Sequence, residues 1–197
     1  MNSVIDISTA EDAKKRLLEI VQLYPDKRSA IMPALYVAQE VFGWVSDDAV
    51  KWVAKQINVP FVEVLEVATF YSMFFRFKRG KYHIQMCRTL SCDLRNGHEL
   101  YSYVRERLKV NSNEVTSDGI WSYQEVACLG SCGTGPALQI NDVLFEFMNV
   151  EKLKSLMDRI ENETPDLSYS VISGELGKGL SDCPRSQIWS CRIVERS

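Results

Sequence analysis

The sequence has no apolar run long enough to cross a membrane. Its longest apolar stretch, residues 67–75, is interrupted by Thr69 and Ser72, whereas a transmembrane helix needs about 20 consecutive apolar residues. The amino terminus has no apolar segment behind a basic start, and Asp6 and Glu11 are atypical of an organelle presequence. We therefore expect a cytoplasmic protein with no direct membrane insertion.

Three signatures of other protein classes are also missing. A formal charge of -3 provides no excess of basic residues, so we expect no nucleic-acid partner. No G-x-G-x-x-G fingerprint follows a predicted strand, which argues against a dinucleotide site on this chain. A C-x-x-C motif, which dithiol redox enzymes carry, is absent as well.

The first part of the chain has the periodicity of helices. Ser8 to Glu11 fits a capping box, and Gly43 is placed to end a helix. The four candidate helices are residues 8–24, 29–42, about 46–58 and 60–75. Short helices with short connections predict a small helical bundle over residues 1–78.

The periodicity changes after the basic segment 78–81, where an alternating stretch indicates a half-buried strand. The predicted elements are a strand at 82–86, a helix at about 97–108, strands at 120–126, 137–140 and 143–147, and a helix at 150–160. A hairpin at Asn141-Asp142 joins the last two strands. This order predicts an α/β (α+β) fold, with a thioredoxin-like domain and a four-stranded sheet over 79–162. Residues 163–197 are polar and rich in Gly and Ser, which predicts an extended or poorly ordered tail.

Four of the six cysteines form two close pairs. Cys87 and Cys92 are spaced C-x4-C, Cys128 and Cys132 are spaced C-x3-C, and residues 93–127 separate the pairs. A disulfide framework is not expected because the cytosol keeps thiols reduced. Two pairs of thiolates are what a 2Fe-2S cluster requires, two for each iron, and the glycines of the second loop can direct backbone amides at the sulfurs. The spacing therefore predicts one 2Fe-2S cluster per chain.

Other uses of these residues remain open at this point. Structural zinc also takes four cysteines, although its sites usually contain a tighter C-x2-C pair, and buried cysteines can simply pack as small apolar side chains. Cys183 and Cys191 lie outside glycine-rich turns and are interpreted as free thiols. His83 and His98 are isolated, so we expect them to be structural or exposed rather than ligands.

Several motifs resemble one known family over about Tyr24 to Ile160. They include VATFYSMF, CRTLSC and EVACLGSCGTGPALQIN. The resemblance is to the thioredoxin-like 2Fe-2S ferredoxin family, whose members serve as a subunit of NADH:quinone oxidoreductase, the respiratory complex I of bacteria. One departure is Thr134-Gly135, where relatives often have Asn-Ala.

The resemblance implies that the metal ligands are Cys87, Cys92, Cys128 and Cys132. It implies an electron-transfer subunit without catalytic residues of its own, which accepts or stores one electron beside the FMN of a flavin- and NADH-binding partner subunit. The neighbouring iron-sulfur subunit is a second candidate partner, and the complex would hold the chain at the cytoplasmic side of the inner membrane. A homologous diaphorase subunit of an NAD-linked hydrogenase or formate dehydrogenase is one alternative, and a zinc-stabilised interaction module is an alternative of another class.

Overall fold

The computed structural model describes residues 7–141, 143–165 and 167. The chain divides into two compact units, Met1–Lys78 and Arg79–Ser197. Most of the predicted tail, together with Cys183 and Cys191, lies outside the described residues. No helix in the described part is both long and apolar enough to span a membrane.

All regular elements in the described part of the first unit are helices. The elements are α1 (Ile7–Gln22), a 3-10 turn (Lys27–Ala30), α2 (Ile31–Phe42), α3 (Asp47–Ile57) and α4 (Phe61–Phe70). The predicted helical composition is therefore confirmed. The predicted capping box depends on Ser8, whose side chain lies outside the described residues.

Two helix ends follow directly from the local sequence. Gly43 ends α2 in the left-handed region with φ of 75°, and Asn58 ends α3 with φ of 56°. Ser46 caps the start of α3, because its Oγ accepts a hydrogen bond of 3.1 Å from the amide of Ala49. The carboxyl ends of the two helices agree with the predicted ends to within one residue, whereas the first two residues of the predicted helix 29–42 belong to the 3-10 turn.

The fourth predicted helix is too long, because α4 ends at Phe70 and not at Phe75. The cause is the side chain of Gln39, which is nearly buried. Its Nε2 donates to the carbonyl of Met73 at 3.1 Å, and its Oε1 accepts from the amide of Phe75 at 2.8 Å. These two bonds satisfy backbone groups that a continued helix would have paired internally, so the chain can turn there.

The apolar stripes of the four helices meet in one core. Fully buried side chains from all four helices include Leu17, Leu35, Val50, Val53 and Val64. Each stripe repeats at helical spacing, so the sequence pattern and the packed interior agree.

The second unit contains a four-stranded sheet in the order β2-β1-β3-β4. Its strands are β1 (Tyr82–Cys87), β2 (Trp121–Val126), β3 (Leu138–Ile140) and β4 (Val143–Phe145). β1 pairs with β2 in parallel, whereas β3 is antiparallel to both β1 and β4. The mixed α and β fold class predicted from the sequence is thereby confirmed.

Two long helices cover one face of this sheet. They are α6 (Gly97–Leu108) and α7 (Val150–Glu163), and a short helix, α5 (Leu90–Asp93), precedes α6. Tyr82, Ile84 and Met86 of β1 pack with residues of both long helices in a single apolar core. Because side chains alternate along a strand, His83, Gln85 and Cys87 point to the other face.

The prediction that β1 is half-buried is wrong, since all six of its side chains are buried. The alternation in the sequence separates two buried faces of different chemistry rather than a buried face from a solvated one. On the polar face, His83 Nδ1 lies 2.8 Å from Ser122 Oγ. The buried Asn141 joins the strands there, because its Oδ1 accepts from the amide of His83 and its Nδ2 donates to the carbonyl of Lys81.

Burial should make His83 a source of acid sensitivity. Burial is the main cause that lowers the pKa of His83 from 6.5 to about 4, and the charge of Arg79 adds to it, whereas a hydrogen bond with Gln124 opposes it. The unfolded chain therefore takes up this proton near pH 6.5, and the folded chain only near pH 4. We expect the free energy of unfolding to fall by about 3 kcal/mol over this interval because of this residue alone.

Denaturant unfolding of the wild type and of a His83→Gln variant at several pH values between 4 and 7 measures this contribution. The variant should lose less stability on acidification than the wild type. His98→Gln is the matched control, because the side chain of His98 is 62% exposed. If the free energy of unfolding changed equally with pH in the wild type and in His83→Gln, the prediction would be contradicted.

Candidate metal centre

Parallel pairing of β1 with β2 brings the two cysteine pairs to the end of the sheet where both of these strands terminate. Cys87 is the last residue of β1 and stands opposite Val126, the last residue of β2. Cys128 follows two residues later. The carboxyl ends of parallel strands are where α/β folds commonly place binding sites.

The first pair is buried. Cys87 is 4% exposed and Cys92, in α5, is 1% exposed. The hydroxyl of Thr89 lies 3.3 Å from Cys87 Sγ, and the phenol of Tyr101 donates to the carbonyl of Cys87. The amide of Cys92 donates to the carbonyl of Thr89 at 2.9 Å, which turns the chain into α5. The backbone around this pair is therefore fixed from several sides.

The second pair lies in the loop between β2 and β3, and both thiols are exposed. Gly130 has φ of 74°, a conformation that favours glycine. In this conformation its amide donates to Cys128 Sγ at 3.2 Å. The prediction that glycine would let the loop direct an amide at a sulfur is confirmed at this position.

The two loops meet at their sulfur atoms. The backbone of Leu129, in the second loop, forms a hydrogen bond with the thiol of Cys87, in the first. A methyl group on Gly135 would lie 3.0 Å from Cys92 Sγ, closer than side chains normally pack. Cys132 is near enough to Cys92 for its charge to affect ionisation there. The two loops that carry the cysteines thus contact each other beside Cys87 and Cys92.

The two buried thiols differ in acidity. Burial opposes ionisation of Cys87, but hydrogen bonds from Thr89, the Cys92 thiol and the Leu129 backbone outweigh it, so the pKa of Cys87 lies below its usual value. Burial raises the pKa of Cys92, and the neighbouring charges of Cys87 and Cys132 raise it further, against a hydrogen bond from the Ala137 backbone. The chain therefore favours ionisation of Cys87 and opposes ionisation of Cys92, where a nearby cation would offset the cost.

This arrangement fits a binuclear iron-sulfur cluster. All four cysteines are free thiols, backbone groups and a hydroxyl already face two of their sulfurs, and Gly135 leaves room beside Cys92. A 2Fe-2S cluster divides its four thiolates between two irons, so pairs are sufficient.

Parts of this site are not apparent from the sequence. The short helix α5, the Thr89 contact and the Tyr101 contact all depend on chain segments that meet only in the fold. The single polar residues involved show no periodicity that could have identified them. The two histidines stay outside the site, His83 in the sheet and His98 exposed, which confirms the interpretation that they are structural or exposed.

The family model for the thioredoxin-like [2Fe-2S] ferredoxins matches residues 17–161. The chain belongs to this family. The chain is also similar to curated proteins named as the E subunit of NADH-quinone oxidoreductase. One, from Rickettsia bellii, is 38% identical over 80% of this chain and 92% of its own length. Another, from Rickettsia conorii, is 37% identical over 83% of this chain and 100% of its own length.

Further relatives widen this comparison. NADH-quinone oxidoreductase subunit 2 of Thermus thermophilus is 42% identical over 67% of this ferredoxin and 74% of its own length. Among solved structures, an NAD+-reducing [NiFe]-hydrogenase in the H2-reduced state superposes with a TM-score of 0.58 at 18% identity. That match covers 67% of this ferredoxin and only 23% of the hydrogenase chain, so it supports the fold alone.

Replacement of Gly135 should disturb the site without disturbing the fold. In Gly135→Val the new Cβ would lie 3.0 Å from Cys92 Sγ. Relatives often carry alanine at this position, so a single methyl group can be accommodated, but the two further methyl groups of valine require the loop to shift where the two cysteine pairs meet. We expect less iron and acid-labile sulfide per chain, with an unchanged far-ultraviolet circular dichroism spectrum. Gly133→Val is the matched control, since a Cβ there has no neighbour within 4 Å. Equal cluster content in both variants would show that the close approach at Gly135 is unimportant.

Proposed function

We propose that this ferredoxin is the 2Fe-2S electron-transfer subunit of an NADH:quinone oxidoreductase. The proposed ligands are the four thiols Cys87, Cys92, Cys128 and Cys132. The observation that carries the proposal is that two cysteine pairs lie at one sheet edge, where backbone groups of Leu129 and Gly130 already bond to their sulfurs. The extensive similarity to proteins named as NADH-quinone oxidoreductase subunits supports it.

A bound 2Fe-2S cluster would supply one-electron chemistry, in contrast to a flavin, which accepts a hydride and thus two electrons. The chain's own residues contribute charge compensation and exclusion of water. Two ferric ions, two sulfides and four thiolates sum to 6 - 4 - 4 = -2, and amides such as those of Leu129 and Gly130 offset this charge. The buried Cys87 and Cys92 keep water away from one side of the site.

The exposed thiols Cys128 and Cys132 leave the other side of the site accessible. We propose that the flavin- and NADH-binding partner subunit meets the chain on this side, so that FMN and NADH belong to the partner. The neighbouring iron-sulfur subunit is a second proposed contact. In this arrangement the helical domain, residues 1–78, and the thioredoxin-like domain, residues 79–162, belong to a complex at the cytoplasmic side of the inner membrane.

A second candidate function is the corresponding subunit of an NAD-linked hydrogenase. An NAD+-reducing [NiFe]-hydrogenase contains the same fold, so the test of the first function also includes this candidate. Affinity purification of the tagged chain from its native cells separates the two functions. Membrane-bound quinone-reducing partners would support the first, and a nickel-containing partner would support the second.

The anaerobically purified chain should be coloured and contain iron and acid-labile sulfide in equal amounts. Reduction with dithionite should produce an electron paramagnetic resonance signal of a 2Fe-2S cluster. The physical reason is that four thiolates in two pairs suit two irons better than one zinc ion. A colourless preparation that contains zinc and no sulfide would instead support the interaction module.

Alanine variants of single cysteines test the ligand set. Cys128→Ala and Cys132→Ala should lose the cluster, because each removes one of two thiolates on an iron. Cys183→Ala and Cys191→Ala are the controls and should retain it. Loss of the cluster in either control variant would show that the assignment of ligands is wrong.

The isolated chain should not oxidise NADH. No dinucleotide fingerprint is present in the sequence, and the proposed flavin lies on the partner. Spectrophotometric assays of the cluster-loaded, flavin-free chain with NADH and ferricyanide should show no turnover above the rate without protein. Measurable turnover would contradict the division of labour proposed between the two subunits.

A further inference from the structure

A carboxylate outside the cysteine motifs holds the loop that carries Cys132. Glu146 follows directly after β4, and its Oε1 accepts hydrogen bonds from the hydroxyls of Ser131 and Thr134. These two residues lie on either side of Cys132 in the sequence. The side chain of Glu146 therefore holds the loop on both sides of Cys132 in the sequence.

The carboxylate supplies an acceptor for the hydrogens of these two hydroxyls. Ser131 and Thr134 are themselves in contact through their hydroxyl oxygens, and each hydroxyl carries only one hydrogen. If one hydroxyl donates to the other, the second must donate elsewhere. An ionised carboxylate carries no hydrogen, so it accepts from the hydroxyl whose hydrogen is not already used, and from both hydroxyls when neither donates to the other. Hydrogen bonding of this kind also favours ionisation, and the pKa of Glu146 lies below its usual value because Ser131 and then Thr134 donate to it.

The backbone holds the carboxylate in place against the loop. The amide of Phe147 donates to the carbonyl of Thr134 at 2.7 Å, and the amide of Met148 donates to the carbonyl of Pro136 at 3.0 Å. Glu146 thus lies on a segment that is bonded to the same loop at two further points. Its contact with the hydroxyls follows from the position of β4 and not from a freely mobile side chain.

A cation contacts the same loop from another segment. Arg95, which lies between α5 and α6, donates from Nη1 to the carbonyl of Gly133 at 3.3 Å. Its guanidinium lies 5.9 Å from the centroid of the Phe147 ring, within the distance of a cation–π contact. The loop around Cys132 therefore contacts one negative and one positive side chain, each through a hydrogen bond within two residues of the thiol.

We propose that Glu146 is a positioning residue for the Cys132 loop, and that its charge and the opposing charge of Arg95 together set the reduction potential of the cluster. This inference rests on the proposed function. Reduction adds one negative charge to the site, so a nearby carboxylate opposes it and a nearby guanidinium favours it. Charge and hydrogen bonding around the sulfurs are among the factors that determine cluster potentials.

Three variants separate the two parts of the proposal. Glu146→Gln keeps an acceptor oxygen and removes the charge, so the midpoint potential should become more positive while the cluster is retained. Glu146→Ala removes the acceptor as well, so the same positive shift should come with faster loss of iron to a chelator. Arg95→Gln should shift the potential in the negative direction. Redox titration of the cluster-loaded full chain, followed by electron paramagnetic resonance, measures the potentials.

Asp118→Asn is the matched control. The carboxylate of Asp118 also accepts from a threonine hydroxyl, that of Thr116, and from a backbone amide, that of Ile120 at 2.9 Å. Asp118 precedes β2, whereas the cysteines lie at or beyond the carboxyl ends of the strands. The six residues of β2, at about 3.3 Å each, therefore place Asp118 about 20 Å from the cysteines. Such a distance is about two Debye lengths at physiological ionic strength, so the potential should not change.

The outcomes distinguish this inference from the function on which it rests. A wild-type chain without iron and sulfide would overturn the proposed function. A loaded wild type whose potential equals that of Glu146→Gln, or shifts of the same sign in Glu146→Gln and Arg95→Gln, would overturn the role of charge. If Glu146→Gln does not retain a cluster, the sign of the change in midpoint potential in Arg95→Gln still decides whether charge sets the potential. Chelation of iron from Glu146→Ala at the wild-type rate would overturn the positioning role.

Discussion

Parallel pairing of β1 with β2 is the interaction on which the rest of the site depends. Six residues of each strand are in register, from Tyr82 opposite Trp121 to Cys87 opposite Val126. A slip of one residue would turn every apolar side chain of a strand to the polar face. Burial of Tyr82, Ile84 and Met86 against α6 and α7 therefore fixes the register. The same register determines where Cys87 and the loop with Cys128 emerge, so the core positions the thiols.

Concentrated negative charge is the second constraint on the site. Burial raises the pKa of Cys92, and its neighbouring thiolates raise it further, whereas hydrogen bonds hold the pKa of Cys87 below its usual value. The chain thus compensates part of the charge with amides and hydroxyls and leaves the remainder to a bound cation.

The sequence predicts those features that depend on local rules. Gly43 ends a helix because few other residues adopt its backbone conformation, and the cysteine spacing identifies the two pairs. Features that depend on distant contacts were predicted wrongly or missed. Helix α4 ends at Phe70 because Gln39 bonds to Met73 and Phe75, more than thirty residues away. The burial of both faces of β1 likewise depends on the whole fold and not on the alternation within the strand.

The two cysteine pairs need different kinds of support. Cys87 and Cys92 are nearly inaccessible, so packing, together with the contacts of Thr89 and Tyr101, restricts their movement. Cys128 and Cys132 are exposed, and an exposed loop with few apolar contacts belongs to the least stable part of a fold. Polar contacts are what remains available to hold such a loop. The loop with Cys128 and Cys132 is accordingly held by backbone hydrogen bonds from the segment after β4. Side-chain hydrogen bonds from Glu146 and Arg95 also hold it. The two charged side chains that hold the loop would also act on an electron added to a bound cluster. A change in either side chain should therefore alter both the position of the loop and the reduction potential.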